Sequence, residues 1–395
     1  MRTVIIGGLV LALTSAFAIA EPLAVKIGYL GRAEKKPTVS LIDVPADNNG
    51  VAGARLALED NNTTGKFLNQ HFSLEEVRLK EHDDPVAAFA QLTDHAISLF
   101  IVDLGADALL KVADAERSRG LVFFNAGAVD DRLREEDCRP NVIHAAPTRS
   151  MLADALAQYL VSKRWLRWLL VVGSHDPDKL YAQMLRRAAA RFGAKIVQER
   201  VFEDTGGARR TDSGLVQVQR QMPLFLQGAP DHDVLVAADE SEVFASYLPY
   251  RTREPRPVAG SAGLVPKSWD AALDQWGADQ LQSRFIKMFS RRMTALDGQA
   301  WTAARMIGEA AARVRSADPK AISEYLRSPD FALAAFKGQK LTLRDWNLQL
   351  RQPILLSDGR TIASVTPQKD SCISSPSLTR WATIVPRPNA GSSDS

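Results

Sequence analysis

Cysteine is scarce in this chain, and the short motifs that mark many enzyme active sites are missing. The 395 residues include two Cys and six scattered His. There is no nucleophile elbow of the form G-x-S-x-G, no phosphate-binding G-x-x-x-x-G-K-[ST], no G-x-G-x-x-G after the first predicted strand and no zinc-binding H-E-x-x-H. These absences argue against the corresponding hydrolase, nucleotide and zinc sites. We therefore predict a protein that is not an enzyme and requires no cofactor.

An excess of charge of either sign is also missing. The chain has 49 Lys and Arg against 46 Asp and Glu, a formal net charge of +3. Such a balance predicts no nucleic-acid partner. Beyond the first twenty residues there is no apolar run of the roughly 18 residues that a membrane span needs. Hydrophobic residues make up 46% of the chain, enough to form the cores of about two or three domains.

The N-terminus has the pattern of a secretory signal. Arg2 precedes an apolar run over 4–13, and Ala18-Ile19-Ala20 stands directly before Glu21. An A-x-A motif after a short apolar run is typical of a cleaved signal peptide, so we expect cleavage after Ala20 and an exported, soluble protein. Exported compartments are oxidising, so Cys138 and Cys372 either form one intramolecular disulfide or remain two thiols.

Hydrophobic periodicity alternates between strands and helices along the chain. Buried strands are predicted at 23–30, 74–80, 97–102 and 121–125, with helices at 50–61, 85–95 and 106–119 between them. After a short strand predicted at 142–145, a second set has strands at 168–172, 195–202 and 233–237, with helices at 151–163 and 179–192. Strands separated by helices favour parallel sheets with right-handed crossovers. The prediction is an α/β protein with two doubly wound parallel-sheet lobes.

The predicted domain limits rest on these two sets of strands and helices and on the helices predicted further along the chain. A link at 130–148, rich in charge, separates the two sets, and further helices are predicted at 299–315 and 319–326. We predict a surface loop at 206–214. The predicted divisions are a signal peptide at 1–20, lobe 1 at 21–145, lobe 2 at 146–257, a return to lobe 1 at 258–330, a return to lobe 2 with closing strands at 331–385, and a disordered tail at 386–395.

Small and polar residues follow four of the predicted strands. Open α/β sheets bind ligands at the carboxyl ends of their strands. The candidate segments there are 104–107 with Asp107, 125–128 with Asn125, 173–176 with His175, and 238–241 with Glu240. Small residues allow backbone N–H groups to approach an anion, although the same residue types also form ordinary turns. The acidic and His clusters at 81–84 and 231–233 are adjacent residues that point in different directions, so no metal site is predicted.

Taken in order, these features resemble the type I periplasmic solute-binding proteins of ABC transporters, the group that includes branched-chain amino acid receptors. A narrower similarity rests on Asp-Asp-Arg-Leu-Arg at 130–134 with Asp-Cys-Arg at 137–139, Ala-Ala-Asp-Glu at 237–240, Tyr-Leu-Pro-Tyr-Arg-Thr at 247–252, Pro-Arg-Pro-Val-Ala-Gly at 255–260, Phe-Lys-Gly at 336–338 and Gln-Leu-Arg-Gln-Pro at 349–353. These segments resemble the subfamily associated with alcohol oxidation dependent on pyrroloquinoline quinone (PQQ).

The resemblance implies a monomeric periplasmic receptor whose two lobes, joined by three crossovers, close on a small anionic solute and deliver it to a membrane permease. PQQ itself is a candidate ligand. The alternatives are a cofactor carrier or a ligand sensor that serves a quinone-dependent alcohol dehydrogenase, and a branched-chain amino acid receptor.

The resemblance also implies roles for individual residues. It puts Ala126 and Ala128 where backbone groups hold a solute carboxylate, and Tyr181 where an aromatic ring closes the second lobe. Glu240 is suited to an ammonium group. A flat tricarboxylate such as PQQ needs an aromatic ring and several cations near the cleft. The residues of these types near predicted crossovers or cleft edges are Arg149, Arg251, Arg253, Lys267 and Trp269.

Overall fold

The computed structural model describes residues 21–32, 45–80, 82–93, 97–204, 212–252 and 254–367. Some predictions fall wholly or partly outside these ranges: the signal peptide at 1–20, residues 206–211 of the surface loop, residues 368–385 of the return to lobe 2, the tail at 386–395, the role of Arg253 and the pairing of Cys372 with Cys138. They stay predictions.

Five parallel strands form the sheet of the first lobe, in the order β2-β1-β3-β4-β5. Val, Ile, Leu and Phe dominate the central strands β3 and β4, and β4 is buried along its whole length, as expected of a parallel sheet covered by helices on both faces. The elements in chain order are β1 Leu23–Arg32, α1 Val51–Leu68, β2 Gln70–Leu79, α2 Pro85–Thr93, β3 Leu99–Asp103, α3 Ala106–Ala115, β4 Val122–Asn125 and β5 Val142–His144.

A second parallel sheet, in the order β7-β6-β8-β9, forms the other lobe. Helices α4 and α5 pack on one face of this sheet and α6 packs on the other. The two parallel sheets confirm the predicted α/β architecture. The elements are α4 Arg149–Ser162, β6 Arg167–Gly173, α5 Asp176–Phe192, β7 Lys195–Phe202, α6 Asp212–Phe225, β8 Val234–Ala238, α7 Leu248–Arg251 and β9 Val258–Gly260.

Helix α6 corrects one sequence prediction. It runs from Asp212 to Phe225, so residues 212–214, the described end of the surface loop predicted for 206–214, are helical. Pro223 lies inside this helix, although proline removes a backbone donor and normally ends a helical pattern. Buried Met222 and Leu226 pack against the second sheet, so tertiary contacts hold a helix that local sequence signals do not favour.

After β9 the chain returns to the first lobe. It forms α8 Ala278–Phe289, α9 Ala295–Val314 and α10 Pro319–Arg327. Helix α9 begins before the predicted 299 because Thr294 and Asp297 form a capping box. Gly53 of α1 allows close contact with α9, since a Cβ there would lie 1.9 Å from the carbonyl oxygen of Asp297.

Short antiparallel strands complete the described chain. The sheet β10-β14-β15 comprises Val265–Lys267, Leu355–Ser357 and Ile362–Val365, and the sheet β11-β12-β13 comprises Leu333–Ala334, Lys340–Leu343 and Leu350–Arg351. Leu341 and Leu350 pack in the core of the first lobe, whereas Leu356 packs in that of the second. The lobe limits remain predictions. Among the described helices, none is both long and apolar enough to cross a bilayer.

Candidate functional site

The two lobes meet at Arg149, the first residue of α4 in the second lobe. Its Nη1 lies 3.0 Å from Oδ1 of Asp130, which follows β4 in the first lobe, and its Nη2 lies 2.8 Å from Oε2 of Glu240, which follows β8. Nε donates to both carboxylate oxygens of Glu240, at 3.0 and 2.9 Å. These three residues, called the cleft triad below, therefore link loops at the carboxyl ends of strands from both sheets.

Local structure holds Arg149 in this position. Thr148 caps α4 by accepting the N–H of Met151 at 3.1 Å, and the backbone N–H of Arg149 donates to the carbonyl oxygen of Val129 at 2.9 Å. The Arg149 side chain is 9% exposed, against 21% for Asp130 and 24% for Glu240. The guanidinium is thus more buried than either of the carboxylates that bind it.

The triad carries two negative charges against one positive charge. Burial by itself lowers the pKa of Arg149, but the hydrogen bonds and charges of Glu240 and Asp130 outweigh it and leave that pKa above its ordinary value. Burial raises the pKa of Glu240 above its ordinary value, against the opposing effect of Arg149. The site therefore keeps its cation firmly charged, while one of its carboxylates is poorly stabilised.

Tyr181 and His175 occupy the second-lobe side. Tyr181, in α5, is buried, and burial together with the charge of Glu240 raises its pKa, so its ring lies within the electrostatic range of the triad. Asp178 accepts the N–H groups of His175 at 3.2 Å and of Ser241 at 2.9 Å, joining the loops after β6 and β8. The His175 ring is half exposed and lies 2.8 Å from Asp204.

The predicted anion-binding loop of the first lobe has its own internal hydrogen bonds. Asn125 is fully buried; its Oδ1 accepts the N–H of Ala128 at 2.8 Å, and its Nδ2 donates to the carbonyl of the same residue at 2.8 Å. The N–H of Ala126 donates to the carbonyl oxygen of Val102 in β3 at 2.9 Å. Asn125 thus shapes the turn, and both amide groups proposed to hold a carboxylate already have partners within the lobe.

The other predicted polar residues do not converge on the triad. Asp107 pairs with Arg132. Arg251 donates to Gln219 of α6 at 3.2 Å. Asp107 thus lies at the surface of the first lobe, and Arg251 lies on the α6 side of the second sheet.

Lys267 and Trp269 lie on the return to the first lobe. Lys267 pairs with Asp270 at 3.0 Å, and Trp269 is 3% exposed and packs against Gly298 of α9. Over the described parts of the chain, no group of three or more His, Cys, Asp or Glu side chains is arranged to hold a metal ion.

Asp130 and Arg134 were not among the residues predicted to bind a ligand. Arg134 is 4% exposed and donates to Oε1 of Gln349 at 2.9 Å and to the carbonyl oxygens of Asp130 at 3.0 Å and Ala146 at 2.8 Å. Burial lowers its pKa to about 10. The available signal was that both residues lie in the 130–139 segment that carried the narrower resemblance.

Comparison with known proteins agrees with the two-lobed fold. Residues 44–219 match the family model described as periplasmic binding protein. A branched-chain amino acid ABC transporter periplasmic ligand-binding protein from Burkholderia xenovorans superimposes with a TM-score of 0.67 at 16% identity, covering 86% of this chain and 95% of its own. The chain has the type I periplasmic binding protein fold.

Other solved proteins with this periplasmic binding fold were crystallised with different solutes. The LivJ substrate-binding protein from Streptococcus pneumoniae, in complex with isoleucine, has a TM-score of 0.63 at 12% identity over 87% of this chain and 98% of its own. A solute-binding protein from R. palustris, in complex with benzoate, has a TM-score of 0.61 at 13% identity over 84% of this chain and 92% of its own. No curated protein sequence matches the chain.

Proposed function

We propose that this chain is the periplasmic solute-binding protein of an ABC transporter, which captures a small carboxylate-bearing solute between its lobes and delivers it to a permease. Three findings support the proposal: the family match over 44–219, the two-lobed fold shared with ABC transporter binding proteins, and the triad that links the lobes at the strand ends. Lobe closure around a solute needs no covalent chemistry.

The single observation that supports a carboxylate ligand is the hydrogen bonding of Arg149. Its planar guanidinium binds Glu240 through two nitrogens and Asp130 through a third. A solute carboxylate that replaces either side chain keeps the guanidinium paired but leaves the displaced Asp130 or Glu240 without its cation. The ammonium group of an amino acid would instead pair with Glu240 and offset the excess negative charge of the triad. Because unpaired buried charges are costly, a carboxylate without an ammonium group requires the displaced side chain to reach solvent, so comparing the two ligand classes shows which of them the site accepts.

PQQ remains a candidate within this class because it is aromatic and carries carboxylates. Arg251 and Lys267, proposed as further cations for it, contact Gln219 and Asp270 in the structure. Binding of PQQ would therefore require these side chains to leave their present partners, or other cations to approach on closure. An aromatic monocarboxylate needs Arg149 alone, so we expect benzoate-like solutes to bind at least as well as PQQ.

Calorimetric titration of the purified protein with benzoate, PQQ and leucine tests the proposal. Arg149→Met should weaken carboxylate binding by about 1.5–3 kcal/mol, the usual range for a hydrogen bond to a charged group. Arg251→Met is the matched control and should leave the affinity unchanged. Tighter binding of leucine than of either carboxylate would return the protein to the amino acid receptor class.

Two further measurements separate the roles that share this ligand. A deletion strain that loses uptake of the identified solute supports transport, whereas a strain that keeps uptake and loses a transcriptional response supports sensing. Reconstitution of an apo-dehydrogenase by the loaded protein, without a permease, would support a carrier for a quinone-dependent alcohol dehydrogenase.

A further inference from the structure

A narrow polar cavity lies between the N-terminal part of α9 and the chain that follows α10. Lys337, Trp269 and Gln352 line it, and none of the cleft triad does. The cavity accommodates about one water-sized sphere, which suits a single small ion or water molecule rather than an organic solute. It is a separate site from the solute cleft.

Lys337 brings a positive charge into this cavity. The residue is 5% exposed, and Nζ donates to Oε1 of Gln352 at 2.5 Å. Nε2 of the same amide donates to the carbonyl oxygen of Ala145 at 2.7 Å, which fixes the direction of the amide. Within the described residues Nζ has no second hydrogen-bond partner, so two of its three donors are unused.

Trp269 supplies a second unused donor. Its Nε1 is buried and has no hydrogen-bond partner among the residues that the structure describes, although a buried indole N–H is normally paired. Two other polar side chains of the lining use their donor groups elsewhere. Gln299 donates to Ser268 at 2.8 Å and Thr302 donates to the carbonyl oxygen of Gly298 at 2.7 Å. Lys337 and Trp269 therefore each have a donor that lacks a partner among the described residues.

A counter-charge for Lys337 is missing from the lining, which includes no Asp or Glu among the described residues. The neighbouring Asp270 is paired with Lys267 at 3.0 Å. Burial alone lowers the pKa of Lys337 to about 7. A buried ammonium without a partner is costly, and a bound anion is the simplest group that both neutralises it and accepts the free hydrogen-bond donors.

We propose that this cavity binds one monovalent inorganic anion of chloride size, held by Nζ of Lys337 and Nε1 of Trp269. Gln352 acts as a positioning residue, because it orients the ammonium and also holds Ala145 at the start of the first crossover between the lobes. The anion site thus lies against a segment that joins the two lobes. The inference is independent of the identity of the solute in the cleft.

Thermal unfolding of the full protein at pH 6, in sodium chloride or bromide against sodium gluconate of equal ionic strength, tests the proposal. A ligand that binds only the folded state raises stability with its concentration, so we expect the halides to raise the midpoint by about 3 °C. Lys337→Met should abolish the difference. Lys267→Met, which alters an already paired and more exposed lysine, should keep it.

Two measurements guard against a variant that fails to fold. Trp269→Phe keeps the aromatic ring and removes the N–H, and should weaken halide affinity by roughly tenfold or more, as expected for a hydrogen bond to a charged group. Crystals grown with bromide should show an anomalous peak within hydrogen-bonding distance of Nζ. Equal midpoints in halide and gluconate, or a water in place of bromide, would overturn the proposal and indicate a hydrated, uncharged lysine.

Discussion

Replacing Arg149 with Met tests the electrostatics of the cleft directly. Methionine keeps an apolar stem of similar length but removes the guanidinium, so Asp130 and Glu240 lose their shared cation. Removing one partner of a buried ion pair costs roughly 3–5 kcal/mol. Because the two carboxylates remain 21% and 24% exposed, solvent screens part of that cost. We expect a loss of about 3 kcal/mol in the free energy of unfolding at pH 7.

The double variant Arg149→Met with Glu240→Gln isolates the charge effect. Neutralising Glu240 removes one of the two unpaired carboxylates, so the double variant should recover about half of the lost stability. Urea unfolding followed by Trp fluorescence, analysed as a double-mutant cycle, gives the coupling energy between the two residues. Arg251→Met serves as the control, since its exposed side chain donates to Gln219 away from the triad and its loss should cost less than about 0.5 kcal/mol.

The pH dependence of stability provides an independent check. The folded pKa of Glu240 is raised, so the folded state binds this proton more tightly than the unfolded state does, and stability falls as pH rises from the unfolded pKa through the folded one. Losing Arg149 raises that pKa further and extends the fall to higher pH. A cost below about 1 kcal/mol for Arg149→Met, or a double variant whose cost equals the sum of the single costs, would refute this reasoning.

Three further predictions concern other parts of the molecule. Gly53→Ala puts a Cβ 1.9 Å from the carbonyl oxygen of Asp297 and should cost at least about 2 kcal/mol in urea unfolding, whereas Gly105→Ala, with open space around it, should cost less than about 1 kcal/mol. Asp239→Ala should cost about 3 kcal/mol or more, because its carboxylate accepts three buried backbone N–H groups at 2.6–2.8 Å. Lys337 has a folded pKa of about 7 against 10.5 when exposed, so the unfolded state binds more protons between these values. In low halide, stability should therefore rise with pH by up to about 1.4 kcal/mol per unit above pH 7, and Lys337→Met should remove that slope.

Each of these has a clear contradicting result. Equal unfolding free energies for Gly53→Ala and the wild type would show that α1 and α9 can separate at no cost. An Asp239→Ala protein of wild-type stability would mean that water replaces the carboxylate. A flat pH profile for the wild type between pH 7 and 9 would mean that the Lys337 ammonium is not desolvated.

Local patterns predicted most of the fold because they depend on neighbours a few residues apart. The strand predicted at 121–125 and the helix predicted at 299–315 appear in the structure as β4 and α9. The two parallel sheets confirm the predicted alternation of strands and helices. Helix α6 was missed because contacts with the second sheet, rather than its Pro-containing sequence, stabilise it. The sequence alone therefore determined the α/β class and the order of most elements.

Tertiary structure alone decided the contents of the site. Arg149 and Glu240 are 91 positions apart, and both were candidate ligand residues, but only the meeting of the two lobes shows that they bind each other and share Asp130. The Asn125 amide forms hydrogen bonds within its own loop. Lys337 is buried without a counter-charge among the described residues. Side-chain pairing depends on which distant strand ends and loops come together, and local periodicity carries no information about that.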